Sequence, residues 1–277
     1  MSRLDSILVV LALGSAVPLA AQGVLIAPHA VYIDHARCSG TVTLYNPNPD
    51  PAEITISTAF GYPVTDSLGH FALRTVDRPD STLPSAAAWV QAFPRRLTIA
   101  PLERQTVRLL ATPPAGLPDG EYWARLIVSA RGGRLPLRGV ADTAAVRVQL
   151  NLVVNTNIGL AYRKGPMATG VALSRLRARR VGDSVEVWSR LERRETAAYV
   201  GTVRAALVDS TGKVRSTLNA PIAVYFVMEP RYALSVARLA PGPYWVRYEL
   251  VTEREDLDPA VVLQAAAVRD SVQVRLP

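Results

Sequence analysis

A single cysteine, Cys38, in 277 residues leaves no pair for an intramolecular disulfide, so the fold must be held by packing alone. Lysine is almost missing as well: of the 31 basic residues only Lys164 and Lys213 are lysines, and 31 less these two gives 29 arginines. Those arginines are scattered, so the net charge of +8 does not form the concentrated basic footprint of a nucleic-acid binder. No apolar run approaches the roughly 20 residues of a membrane span, which excludes an integral helical membrane protein. Helical periodicity is nearly absent. The 21 prolines and 17 glycines follow no short repeat, and 49% hydrophobic residues suffice for a real core, which excludes collagen-like and wholly disordered chains.

Residues 1–21 combine Arg3, a short apolar stretch over 7–13 and small residues ending in Ala20 and Ala21. This is the pattern of a cleaved secretory signal peptide, and it predicts export to the periplasm.

From Gln22 onward the chain alternates Val, Ile, Thr and aromatic residues with polar ones in short runs bounded by Pro, Gly, Asn and Asp. That is the signature of β-sandwiches. The pattern predicts strands over 24–33, 41–45, 53–60, 89–93, 106–111, 122–128 and 146–162, then 184–191, 199–208, 214–218, 223–228, 233–239, 244–251, 261–267 and 271–276. Lys164-Gly165-Pro166 is the expected boundary, giving an N-terminal immunoglobulin-like domain over 22–164 and a C-terminal sandwich over 165–277.

Little in the sequence points to catalysis. His29, Asp34, His35 and Cys38 have the spacing of neither a zinc finger nor a helical histidine pair. Gly182-Asp183-Ser184 lacks the flanking glycine pattern of a nucleophile elbow, and Arg131-Gly132-Gly133-Arg134 lacks the Lys-Ser/Thr pair of a phosphate loop. No enzyme activity, metal or cofactor is expected. Trp89, Trp123, Trp188 and Trp245 all fall inside predicted strands and are expected in the core.

Four stretches, read in order, carry a family resemblance: 41–46 (TVTLYN) with the proline turn after it, 94–101 (PRRLTIAP) with 105–109 (QTVRL), 117–126 (LPDGEYWARL) and 158–163 (IGLAYR). Over residues 24–165 the chain resembles the PapD-like periplasmic pilus-assembly chaperones. The resemblance implies two sandwiches that bind an incomplete pilus-like subunit by lending it a strand, with an outer-membrane usher as a further partner and a monomer when free.

Strand addition would use a long final strand, and Val146, Val148, Leu150, Leu152 and Val154 share one face of it, preceded by a Gly- and Arg-rich loop over 130–142. Such family members grip the subunit's terminal carboxylate with two basic residues, at positions that align here with Ala30 and Gly159. Arg147 and Lys164 are the candidate replacement anchors, with His29 and Arg163 as further basic neighbours. The resemblance also implies an interdomain ion pair between Arg163 and Glu121. The alternative is a structural or adhesive sandwich protein of a cell-surface assembly.

Overall fold

The computed structural model describes residues 23–132 and 152–277, and they form two β-sandwiches. The N-terminal one contains β1 (Leu25–Ala27), β2 (Ala30–Asp34), β3 (Ser39–Tyr45), β4 (Ala52–Thr65), β5 (Phe71–Val76), β6 (Val90–Phe93), β7 (Arg96–Ile99), β8 (Arg104–Ala111), β9 (Gly120–Arg131) and β10 (Val153–Lys164). One sheet has the order β1-β3-β8-β6, and the other β2-β10-β9-β4-β5 with β7 also on β4. The expected strand over 24–33 is thus two strands in two different sheets. Pro28, which cannot donate to a ladder, marks the crossing.

The C-terminal sandwich contains β11 (Gly170–Val181), β12 (Ser184–Arg194), β13 (Tyr199–Asp209), β14 (Val214–Val224), β15 (Val227–Met228), β16 (Arg231–Ser235), β17 (Gly242–Val251) and β18 (Val268–Leu276). Its sheets run β11-β12-β15, with β16 also on β12, and β14-β13-β17-β18. The strand expected over 261–267 is absent: a 3-10 turn at Pro259–Val261 is followed by irregular chain. Asp258 caps that turn through the Ala260 amide, and such local capping competes with a ladder.

Each sandwich has its own apolar filling, from alternate residues of its strands, such as Ile33, Leu44, Leu109 and Leu126 in the first and Val187, Leu207, Val246 and Leu250 in the second. A third cluster bridges the two halves: Phe60, Trp123 and Ala161 from the first meet Ala198 and Tyr225 from the second. Trp123 is 1% exposed, and burial of a side chain that size contributes on the order of 3 kcal/mol. The proline turn after β3 is organised by buried Asn46, whose amide donates to Asp50 O and Ile99 O while its oxygen accepts from Asn48. A buried amide must be satisfied in this way.

The long hairpin of β4 and β5 leaves the first sandwich and docks on the second. Glu229 N donates to Thr65 Oγ1 at 2.7 Å, Arg231 N donates to Gly69 O at 3.0 Å, and Tyr62 packs edge-on against Phe226. Gly69 has φ +78, and an added Cβ would lie 2.6 Å from the Arg231 side chain, so only glycine fits this close approach.

Candidate functional site

The site is built on β9 and β10, which pair along the whole length of β10. Glu121 and Arg163 stand directly opposite each other. Arg163 Nε donates to Glu121 Oε2 at 2.7 Å, and Arg163 Nη1 donates to Val261 O at 2.7 Å. Glu121 Oε1 accepts from Trp123 Nε1 at 2.8 Å and from Ala198 N at 3.0 Å. The carboxylate, 2% exposed, therefore has three donors, and the pair reaches two separate segments of the second sandwich. The Arg163 guanidinium also lies 4.3 Å from the Tyr32 ring centre. Burial, reinforced by neighbouring Tyr225, pushes the Tyr32 hydroxyl up to about 12.

Strand alternation puts Glu121, Trp123 and Arg125 on one face of β9, and Arg125 opens into a cleft of about 460 Å³ between the sandwiches. Arg125 Nε donates to Gly61 O at 3.0 Å, and its guanidinium lies 5.4 Å from the Tyr225 ring centre. Gly159 of β10 is opposite Arg125, and Ala30 of β2 is opposite Gly159. The two positions that lack a basic side chain thus lie side by side, and the next residue in that row is an arginine.

Among the described residues Arg125 has no carboxylate within ion-pair distance. Arg254, also in the cleft, is held by Asp256 through bonds of 2.7 and 2.6 Å. Those bonds hold the Asp256 carboxyl below the usual carboxylate range. The cleft is therefore electropositive at Arg125, with exposed His29 on its rim and an apolar wall of Pro63, Phe71 and Leu73 from the hairpin.

Of the candidate anchors read from sequence, Lys164 does not line this cleft. Lys164 Nζ donates to Leu117 O and lies 3.6 Å from Asp119 Oδ1, so it is engaged with the turn before β9. Arg147, with Val146, Val148 and Leu150 of the expected binding face, lies outside the described residues. Leu152 is exposed, and Val154 is half-buried near Gly23. Val154 shares a face with Ile158, Leu160 and Tyr162, which are buried. This row looks into the sandwich where there is a core to face and runs past it toward Leu152.

On its second edge, β10 is covered by β2 over Gly159 to Arg163 only. Residues 153–158 therefore pair with β9 on one side and have no strand on the other among the described residues.

Elsewhere, His35 Nδ1 bonds the Tyr162 hydroxyl, and Cys38 Sγ donates to His35 O, so these side chains serve local packing. Trp123 is buried and Trp89 packs against Tyr122 and Tyr162. Trp245 is 36% exposed, because it faces outward on β17, and Trp188 lies half-buried beneath arginines. Both differ from the expected core placement. Among the described residues no helix is long and apolar enough to cross a membrane.

No family model and no curated protein sequence matches the chain. Pilus chaperones, alone or in complex with a pilin or tip subunit, are among the solved structures similar to it. The Pseudomonas aeruginosa CupB2 chaperone is 15% identical with a TM-score of 0.41, over 91% of this chain and 100% of that one. The chaperone-tip adhesion subunit complex CsuC-CsuE of the archaic Csu pili of Acinetobacter baumannii is 14% identical, TM-score 0.45, over 91% and 97%. The Salmonella enterica SafA pilin complex with the SafB chaperone is 12% identical, TM-score 0.43, over 90% and 96%.

Proposed function

We propose that this chain is an exported, non-enzymatic chaperone that holds a pilus-like subunit lacking a strand, by pairing the subunit with the open edge of β10 at residues 153–158. The observation that carries this reading is that edge, which no strand covers among the described residues. An uncovered strand edge is an aggregation hazard that proteins ordinarily block, and strand addition converts it into main-chain hydrogen bonds with a partner. The aliphatic row that runs past the sandwich from Val154 to Leu152 supports the same use, since alternate side chains of an added strand fill the partner's core. In this reading residues 1–21 are the export signal, the two sandwiches divide at 164/165, and the place of action is the periplasm.

Arg125 serves as the anion seat in this reading, in place of the basic residues that the family pattern puts at Ala30 and Gly159. A guanidinium without a carboxylate, partly withdrawn from water beside Tyr225, favours a terminal carboxylate by a charge-assisted fork. Co-expression with a strand-deficient subunit and purification from the periplasm tests the function. A stable one-to-one complex is the expected result; polymers of this chain alone would favour the structural alternative and overturn the chaperone reading.

A further inference from the structure

Away from the cleft, β11, β12 and β16 carry a row of side chains whose chemistry differs from the rest of the surface. Trp188 of β12 stands in register between Arg177 of β11 and Arg231 of β16. The Arg177 and Arg179 guanidinium carbons lie 5.3 and 4.9 Å from the centre of the same indole ring. A bulge produces this arrangement: two residues, Arg175 and Leu176, fit between Ser174 and Arg177 where the partner strand has one, with Arg175 at φ +52. Bulges re-aim the side chains after them.

Arg231 is fixed from both sides. Its Nη1 donates to Glu186 Oε1 at 3.0 Å, and its Nη2 donates to His70 Nε2 at the tip of the β4–β5 hairpin. Ser67 and Leu68 of that tip complete the wall of a cavity of about 280 Å³ over Trp188. Of the three arginines, Arg179 has only Glu186, at 3.5 Å, and Arg177 has no ion-pair partner among the described residues. Among the described residues Glu186 is thus the one carboxylate beside three guanidiniums, and it pairs with only two of them, Arg179 and Arg231. Arg175 and Arg190 beyond them share Glu229, and Asp66 is occupied by the Leu68 and His70 amides and the His70 ring.

Two guanidiniums on one indole repel each other, and each attraction to the ring is worth only about 1 kcal/mol at an exposed site. An anion between them relieves the repulsion and accepts their free N–H groups. A dianion matches the local excess of charge, and tetrahedral oxygens match guanidinium forks that converge from different strands. We propose that this pocket is a binding site for a phosphate group, assembled from β11, β12 and β16 with the hairpin tip as its wall. Occupancy then ties the hairpin more firmly to the second sandwich, because Arg231 belongs to both contacts.

The phosphate can be free or at the end of a lipid headgroup, and one set of measurements separates the two. Calorimetric titration of the mature chain with inorganic phosphate at low ionic strength is expected to give saturable one-to-one binding. Arg177→Gln with Arg179→Gln, both exposed, should weaken it about tenfold, as expected when charge-assisted bonds are removed. Arg247→Gln with Arg275→Gln removes the same charge from the other sheet and should change nothing. Flotation with phosphatidic acid vesicles, competed by inorganic phosphate, would assign the site to lipid phosphate; phosphate binding without flotation would assign it to a soluble phosphate. Absence of saturable binding, or equal weakening by both pairs of substitutions, overturns the proposal.

Discussion

Arg125 and Gly159 face each other on β9 and β10, and Arg125 Nη1 lies 3.3 Å from the point where a Gly159 side chain would begin. The glycine keeps open the space the guanidinium occupies. The contacting atom is the end of a flexible side chain, so a residue at 159 moves Arg125 rather than breaking the strand.

A rescue experiment follows from this geometry. Arg125→Ala is expected to weaken subunit capture at least about tenfold through loss of a charge-assisted contact, with the fold retained. Adding Gly159→Lys to that variant returns a cation to the same row and should restore most of the affinity. Capture by Arg125→Ala equal to that of the wild type, measured by surface plasmon resonance, would remove Arg125 from the site.

Glu121 makes a second prediction. Replacing it with Gln keeps the shape but leaves Arg163 partly buried without its counter-charge, and such losses cost about 3 kcal/mol or more. Urea unfolding should show a decrease of that order for Glu121→Gln. The double variant Glu121→Gln with Arg163→Gln should lose less than the sum of the single ones. Additive losses would mean that the pair is not coupled.

Tyrosine burial predicts the alkaline limit. Desolvation raises Tyr32 to about 12 from an ordinary 10.0, and raises Tyr199, Tyr232 and Tyr248 in the same direction. The unfolded chain releases these protons near pH 10 while the folded chain keeps them, so the unfolded state binds fewer protons and stability falls as pH rises. For Tyr32 the contribution is complete below pH 10 and is lost between about 10 and 12. The urea midpoint should therefore drop across this interval, and less in Tyr32→Phe; a flat midpoint would contradict the burial of these hydroxyls.

Strands with one buried face were legible in the sequence. Residues 199–208 read correctly because β13 alternates buried Val203, Ala205 and Leu207 with outward polar or small positions. β11 was not legible, since arginine fills four of its positions and much of it is exposed. Nor was β5, which is exposed at nearly every residue and held by its pairing with β4. At the site, the ion pair of Arg163 with Glu121 was implied by the family resemblance, whereas their direct opposition on β9 and β10 was not. Arg125 was missed, although it shares the alternation of Glu121 and Trp123 that would have put it in the same row. Its importance depends on Gly159 and Ala30 lying beside it, a relation that only strand pairing between distant segments creates.

In the proposed function residues 153–158 form the edge that takes up the partner's strand. Hydrogen exchange, followed residue by residue on the free chain and on its complex with a co-purified subunit, tests it most directly. Amides of 153–158 that point away from β9 should exchange rapidly in the free chain and become strongly protected in the complex, while those bonded to β9 change little. Unchanged exchange throughout 153–158 in a stable complex would contradict strand addition at β10.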